Sequence, residues 1–200
     1  MTAPFRPSAY LAAAAAMALS LAVSGCAHHS TPYQPISSAN RVAGGYSDMQ
    51  ISEDRYRVSF AGNRLTSREQ VETYLLFRAA ELTLEKGMDW FAIEDRVVER
   101  EVERQVRPDP LYDPWFGTYY GSWRPYWSYY GPRTGWRRWY PYYGHSFWTT
   151  HVDIREVERY EATAEIRVGS GAMPDGSVRA FNAGEVVTRL GPRVEHPGDR

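Results

Sequence analysis

Cys26 is the residue of this sequence whose type and position most directly predict a chemical reaction. It is the only Cys in the chain, so the sequence excludes an intramolecular disulfide and a Cys-rich metal site. A thiol reacts as the nucleophilic thiolate, and this one follows two small residues and the apolar run Leu11–Val23. That run is too short for a transmembrane helix, which needs about 20 residues, but it fits a secretory signal peptide. We therefore predict a signal peptide over residues 1–25, cleaved between Gly25 and Cys26.

The residues Val23-Ser24-Gly25-Cys26 resemble the bacterial lipobox, in which an aliphatic residue and two small residues precede the modified Cys. The resemblance implies that Cys26 receives a diacylglycerol and becomes the first residue of the mature chain. Two or three acyl chains, at about 0.8 kcal/mol per buried CH₂, hold a protein on a membrane almost irreversibly. Because Ala27 rather than Asp follows, we expect the outer membrane, with the domain facing the periplasm. The alternative is an ordinary secreted protein with a chance Cys.

The charge balance excludes one class of partner. The 200 residues include 23 Lys and Arg against 24 Asp and Glu, for a net charge of −1. A nucleic-acid-binding protein should show a marked basic excess, so we predict no nucleic-acid partner. The length allows one small domain.

The remaining residues that could do chemistry lack the neighbours that catalysis or metal binding requires. His28 and His29 have no nearby carboxylate or third His to complete a metal site, and no carboxylate cluster separates His145 from His151. The sequence contains no hydrolase, metalloprotease or nucleotide-binding motif. We predict no catalytic residue, no metal and no cofactor, and hence no enzyme.

Hydrophobic periodicity predicts the elements of the folded part. Apolar residues alternate over 54–61 and fall on even positions over 149–169, which is typical of strands with one buried face. Residues 89–98 favour a further strand through their β-branched and aromatic content. A capping box, Thr66-x-x-Glu69, predicts a helix that starts at Ser67 and ends before Gly87. Asn182 can cap a second, short helix over 183–190.

These elements predict an α+β fold: a small antiparallel sheet with two helices packed on one face, in the order β-α-β-insert-β-α. We assign the single domain to residues 51–106 and 149–192. Residues 26–50 are rich in Ser, Pro, Ala and Gly and predict a flexible tether. We expect a disordered tail over 193–200.

Residues 107–148 form an aromatic-rich insert, with six of the seven Trp of the chain and frequent Pro and Gly. Its composition predicts no helix and no repeat architecture. Three interpretations remain open: a tolerated low-complexity segment, a contact surface for envelope proteins or for self-association, or a platform on which aromatic rings stack against sugars. The candidate contact residues are Trp115, Trp123, Trp127, Trp136, Trp139, Tyr142 and Tyr143.

Five strings of residues carry a resemblance to a family of alphaproteobacterial lipoproteins of unknown function. They are Tyr33-x-Pro35, Gly45-Tyr46-Ser47-Asp48, Tyr56-x-Val58-x-Phe60-x-Gly62-Asn63-x-x-Thr66, Arg78-Ala79-Ala80-Glu81-Leu82-Thr83 and Gly87-x-x-Trp90-Phe91. The resemblance covers residues 33–95, with a weaker echo over 160–190. It implies export, lipidation and an α+β domain, but it brings no activity and does not extend to the aromatic insert.

Together these features predict a membrane-anchored envelope lipoprotein that acts as a non-enzymatic binding or structural module, with the aromatic insert as its contact loop. The alternative is a peptidoglycan- or polysaccharide-binding enzyme, or an accessory subunit of a cell-wall enzyme. The expected partners are the membrane, through acylated Cys26, and envelope proteins or glycan.

Overall fold

The computed structural model describes residues 29–94, 120, 122–139, 159–174 and 179–199. The predicted signal peptide and Cys26 lie outside these residues. So do residues 95–98 of the predicted strand 89–98 and residues 149–158 of the predicted strand 149–169.

Seven strands form one sheet in the described part of the chain. They are β1 (Gly45–Ser52), β2 (Arg55–Ala61), β3 (Trp90–Ile93), β4 (Tyr126–Gly131), β5 (Gly135–Trp139), β6 (Arg159–Gly169) and β7 (Ala180–Asn182). The main path runs β1-β2-β6-β3-β7, while β4 pairs with β6 and carries β5 on its other side. Every pair of these strands is antiparallel.

The long strand β6 organises the sheet. One of its edges pairs with β2, and the other is shared by β4, opposite Arg159–Thr163, and β3, opposite Ile166–Gly169. The even positions from Ala162 to Val168 are buried and the odd ones are half-buried. This confirms the predicted period of two along the described part of the strand.

Two helices cover one face of the sheet, α1 (Arg68–Glu85) and α2 (Ala183–Leu190). Their apolar sides pack on the buried side chains of the strands to make one core, which includes Phe60, Leu75 and Ile166. The predicted α+β fold is therefore confirmed. The cap of α2 is also as predicted, since the Asn182 side chain accepts from the Glu185 N–H at 2.9 Å.

The start of α1 differs slightly from the prediction. The N-cap is Ser67, whose hydroxyl accepts from the Gln70 N–H at 3.1 Å, so the helix begins at Arg68. The Thr66 hydroxyl makes other bonds, accepting from the backbone N–H groups of Thr31 and Asn63. At the other end Gly87 has a φ of 71°, the left-handed conformation predicted for it.

The prediction of a flexible tether over 26–50 is wrong for the residues from 29 onward. Residues 45–52 form β1, and Tyr33 is only 3% exposed because its ring packs against Tyr74 and Phe77 of α1. Backbone bonds hold the segment in place, including Tyr33 N–H to the Glu195 carbonyl at 2.8 Å. Gly45 is required at its turn, since its φ is 138° and a Cβ would lie 2.3 Å from the Gln34 carbonyl oxygen.

The bond between Tyr33 and Glu195 also corrects the prediction of a disordered tail over 193–200, for its described residues 193–199. A 3₁₀ turn over Gly191–Arg193 continues α2, and Val194 is buried in the core. The Glu195 N–H donates to the Tyr74 hydroxyl at 3.1 Å. The tail is therefore fixed beside the N-terminal segment, because its Glu195 carbonyl accepts from the Tyr33 N–H.

The aromatic insert is also partly built into the fold. Strands β4 and β5 pair as a hairpin from Trp127 opposite Trp139 to Gly131 opposite Gly135, and β4 extends the sheet. Gly135 has a φ of 65° at the turn, which Gly adopts without a Cβ clash. The frequent Gly and Pro of this stretch therefore bound strands instead of excluding them.

Candidate binding surface

The aromatic hairpin presents two different faces. On the core side, Trp123 and Trp127 are each 1% exposed. Trp123 makes edge contacts with Phe91 and Phe181 at ring-centroid distances of 6.2 and 6.0 Å. Both Trp residues were predicted as contact residues, and that prediction is wrong because they extend the core beneath the sheet.

On the face away from the helices, Trp136 is 48% exposed. It lies directly across from Tyr130, with ring centroids 5.6 Å apart in an edge arrangement. The Arg159 guanidinium stacks on Tyr130 at 4.4 Å and lies 5.8 Å from the Trp136 ring. We call these three residues, Tyr130, Trp136 and Arg159, the hairpin patch.

Each member of the hairpin patch comes from a different strand, and the register places it there. Tyr130 of β4 pairs with Trp136 of β5 on one side and with Arg159 of β6 on the other. Residues directly opposite on antiparallel strands point to the same face. A guanidinium over an exposed ring contributes about 0.5–1 kcal/mol, so the stack restrains the rings while leaving Trp136 open to solvent.

The other predicted contact residues give no further members. Trp115, Tyr142 and Tyr143 lie outside the described residues, and Trp139 ends β5 with its side chain outside the description. The structure therefore places only Trp136, of the seven predicted positions, on a described exposed surface.

Polar residues continue the open face from the hairpin patch along the sheet. Arg138, Ser128 and Glu161 lie side by side across β5, β4 and β6. Burial raises the pKa of Glu161, which is half-buried and makes no ion pair with the described residues. Further along, Arg57 pairs with Glu165 at 2.5 Å. The hairpin patch is thus the aromatic end of an otherwise polar face.

A second cluster, on the opposite face, surrounds Arg78 of α1. Its Nε donates to both Asp48 oxygens at 3.0 Å, and its Nη2 donates to Asp48 Oδ2 at 2.6 Å. The guanidinium also donates to Glu81 at 2.5 Å and to Glu85 at 2.8 and 3.0 Å. The same group stacks on the Tyr46 ring at 4.5 Å. We call these five residues the Arg78 cluster.

Attraction between the Arg78 guanidinium and three carboxylates stabilises the Arg78 cluster. Burial acts to lower the pKa of Arg78, but the hydrogen bonds that it donates to Asp48 and Glu85 outweigh burial, so that the pKa is raised overall. The Tyr33 hydroxyl donates to Glu81, and burial together with that bond raises the pKa of Tyr33. Three carboxylates thus converge on a guanidinium, which stays charged and saturates its donors.

The Arg78 cluster brings together residues from three of the five strings that carry the resemblance. Tyr33, Tyr46, Asp48, Arg78 and Glu81 come from three of the strings and meet at this one place. The cluster is not among the predictions from the sequence, although the spacing of its residues contains a signal. Tyr46 and Asp48 share a strand face at i, i+2, and the three charged residues of α1 share a helix face.

The N-terminal segment forms one wall of a groove with a volume of about 470 Å³, and the C-terminal tail forms the other. Its charged and polar lining includes His29, Gln34, Arg41, Glu195 and His196. His29, predicted to lie in the tether, is instead fixed here. The part of the chain that the structure describes brings no three His, Cys, Asp or Glu side chains into a metal-binding arrangement.

No helix among the described residues has the length and apolar content needed to cross a bilayer. No protein-family model, curated protein or solved structure matches this chain.

Proposed function

We propose that this chain is an exported lipoprotein of the bacterial envelope, held on the outer membrane through Cys26. Its folded domain is a non-enzymatic contact module that uses the hairpin patch. The anchoring part of the proposal is supported by the lipobox-like sequence before Cys26 and by the apolar run Leu11–Val23.

The observation that carries the contact role is the exposure of Trp136. Four neighbouring aromatic residues of the same stretch, Tyr120, Trp123, Trp127 and Tyr129, are between 1% and 4% exposed, whereas Trp136 is 48% exposed. Aromatic residues and Arg are enriched in contact surfaces, because a large rigid ring buries much area at little entropic cost. The stack of Arg159 on Tyr130 prepares such a surface in advance.

The contact role is tested with the mature chain, residues 26–200, carrying Cys26→Ser so that no acyl group contributes. The protein is incubated with isolated bacterial envelopes, and the retained fraction is measured after washing. We expect Trp136→Ala to reduce retention about tenfold, in line with the loss of a central aromatic contact residue. The matched control is Met173→Ala, because Met173 is 47% exposed but follows the opposite end of β6.

Equal retention of the Trp136→Ala and Met173→Ala proteins would overturn the contact role. Anchoring is tested separately, by labelling cells with a palmitate analogue. Wild type should be labelled and fractionate with membranes, whereas Cys26→Ala should not be labelled. A soluble cytosolic chain that retains its first 25 residues would overturn the anchoring.

A further inference from the structure

The first described residues are fixed against the turn between β2 and α1. The Asn63 side-chain amide donates to the His29 carbonyl at 2.7 Å, and the Thr31 hydroxyl accepts from the Asn63 N–H at 2.9 Å. The Thr31 N–H in turn donates to the Thr66 hydroxyl at 2.8 Å. Residues 29–31 therefore lie at a defined place, at one end of the sheet.

Only three residue steps separate His29 from Cys26. Whatever the backbone conformation, three residues span at most about 11 Å. If Cys26 carries acyl chains, as the proposed function has it, His29 lies within about that distance of the lipid headgroups. This is close to the Debye length of about 8–10 Å at physiological salt, so charges at this end of the sheet would act on the membrane.

The hairpin turn projects from the same end. The Gly62 N–H donates to the Tyr160 carbonyl at 2.9 Å, and the preceding residue of β6, Arg159, pairs with Tyr130 just before the turn. In the described part of the sheet, β6 lies between the strands that lead into the two turns, which are thus about two strand spacings or 10 Å apart. We call this end the anchor end, defined by His29, the turn 63–65 and the hairpin turn 132–134.

The anchor end has the side chains that a membrane interface favours. Two large apolar residues are exposed there, Leu65 at 46% and Trp136 at 48%. Exposed arginines surround them: Arg64, Arg133, Arg137 and Arg138. Among the described residues, the acidic groups nearby include Glu69, in the first turn of α1, Glu161, on the open face beside Arg159, and Glu195, which lines the groove beside His29.

The opposite end of the sheet lacks this basic excess, since its acidic residues offset Arg55, Lys86 and Arg167. Glu53 and Asp54 at the turn between β1 and β2, and Glu85 and Asp89 beside β3, are all exposed, with Lys86 as the one exposed cation among residues 85–89. The chain as a whole is nearly neutral, so the basic character of the anchor end comes from how charge is distributed along the sheet.

From these observations we infer that the anchor end is a membrane-facing surface that binds anionic phospholipid headgroups, with Trp136 and Leu65 at the interface. This rests on the proposed function and names the partner of the hairpin patch. Arginines attract an anionic surface and Trp is enriched at the level of the headgroups. The short link to Cys26 orients the domain so that both can act together.

Vesicle flotation tests the inference with the mature Cys26→Ser chain, which has no acyl group. We expect binding to vesicles with 30% phosphatidylglycerol but not to pure phosphatidylcholine vesicles. The triple variant Arg64→Gln, Arg137→Gln, Arg138→Gln should bind about a hundredfold more weakly, at about fivefold per arginine. The matched control carries Arg55→Gln, Lys86→Gln and Arg167→Gln at the opposite end, and it should bind within about threefold of the parent.

Orientation is measured in the same background, since Cys26→Ser removes the only thiol of the chain. Thr134→Cys and Met173→Cys each then offer one site for an environment-sensitive thiol dye. On anionic vesicles the dye at position 134 should shift to the blue, and the dye at position 173 should not. Raising the salt from 0.1 to 1 M shortens the Debye length from about 10 to about 3 Å and should release the protein.

The inference is overturned if neutral and anionic vesicles bind equally, if the two triple variants bind alike, or if the dye at position 173 responds as strongly as the dye at 134. These outcomes are distinct from failure of the proposed function. Envelope retention that needs Trp136 without vesicle binding would point to a protein or glycan partner and overturn only the lipid inference. Absence of acyl label on Cys26 would overturn only the anchoring.

Discussion

The molecule contains two arginine–tyrosine stacks of nearly equal geometry in opposite surroundings. Arg78 lies 4.5 Å from the Tyr46 ring and Arg159 lies 4.4 Å from the Tyr130 ring. Arg78 is 5% exposed and bound by three carboxylates. Arg159 is half-buried on the open face and makes no ion pair with the described residues. The contact itself does not decide the role; its neighbours do.

One stack stabilises the fold, and the other leaves a surface that a partner can contact. In the Arg78 cluster every donor of the guanidinium is used within the protein, so the stack fixes β1 and the N-terminal segment on α1. In the hairpin patch the stack uses only the face of the guanidinium, which leaves the charge and the Trp136 ring available. The guanidinium of the Arg78 cluster has no donor left for a partner molecule. The hairpin patch keeps an exposed ring that a partner molecule can contact.

The largest loss of stability should come from Arg78→Met. This variant replaces the guanidinium with an apolar side chain of similar length and leaves Asp48, Glu81 and Glu85 facing one another without a cation. Removing one partner of a buried ion pair costs about 3–5 kcal/mol. Because the three carboxylates are partly exposed, we expect about 3 kcal/mol in the free energy of unfolding, measured by urea denaturation.

The matched control for Arg78→Met is Arg57→Met. Arg57 also pairs with a carboxylate, Glu165 at 2.5 Å, but its side chain is 43% exposed. Exposed pairs contribute about 0–1 kcal/mol, so this variant should lose at most about 1 kcal/mol. Equal losses in the two proteins would show that burial does not distinguish the Arg78 cluster from the open face.

A smaller loss is expected for Tyr33→Phe, which deletes the hydroxyl that donates to Glu81. Hydrogen bonds to charged groups contribute about 1.5–3 kcal/mol, and because Glu81 is partly exposed we expect the lower half of that range. The raised pKa of Tyr33 adds a pH signature. Wild type should lose stability as the pH rises above about 10, where the unfolded chain ionises this phenol.

Tyr33→Phe should remove part of that alkaline loss. The measurement is urea unfolding at pH 8 and pH 11. Tyr56→Phe is the control, since it deletes the hydroxyl of another buried Tyr that makes no bond to the Arg78 cluster. If both variants kept the full alkaline loss of wild type, the bond to Glu81 would have no part in fixing the N-terminal segment.

The sequence predicted the elements whose signal is local. Strand β2, helix α1, the cap of α2 and the alternation along β6 follow from periods of two or 3.6 and from capping residues a few positions apart. The tether prediction failed because Tyr33 is buried by Tyr74 and Phe77, about forty residues later in the chain. Composition alone describes the segment without those distant partners.

The hairpin was missed for a related reason. Aromatic residues occupy both faces of β4, so Trp127 and Tyr129 inside do not differ in type from Tyr126 and Tyr130 outside. Pairing with β6 decides which face is buried, and that strand begins about thirty residues later. For the candidate site, Trp136 was predicted among seven residues, whereas its partner Arg159 could not be identified without the register.

Arg159→Gln should have the opposite profile to Arg78→Met, with a small loss of stability and a clear loss of envelope retention. A cation over an exposed ring contributes about 0.5–1 kcal/mol, so the loss of stability should stay below about 1 kcal/mol. Envelope retention should fall about threefold, because Tyr130 and Trp136 lose the group that restrains them. A loss of 3 kcal/mol without any change in retention would make the hairpin patch a structural cluster like that of Arg78.

The smallest effect is expected at Glu161, the carboxylate beside the open stack. Burial raises its pKa, so its charged form is less favourable in the folded than in the unfolded chain. The stability linked to this group is therefore fully present below the unfolded pKa, near 4.5, and is lost as the pH rises through the higher folded value. Glu161→Gln removes that loss, so it should be slightly more stable than wild type at pH 7 and lose the advantage near pH 4.

Glu165→Gln is the control for this last comparison, because its carboxylate lies on the same face of β6 but is bound by Arg57. It should be no more stable than wild type at pH 7. Thermal unfolding at pH 4, 5.5 and 7 measures both variants. If Glu161→Gln were the less stable protein at pH 7, Glu161 would have a stabilising partner. The charged groups of the open face would then be paired within the protein, as they are in the Arg78 cluster.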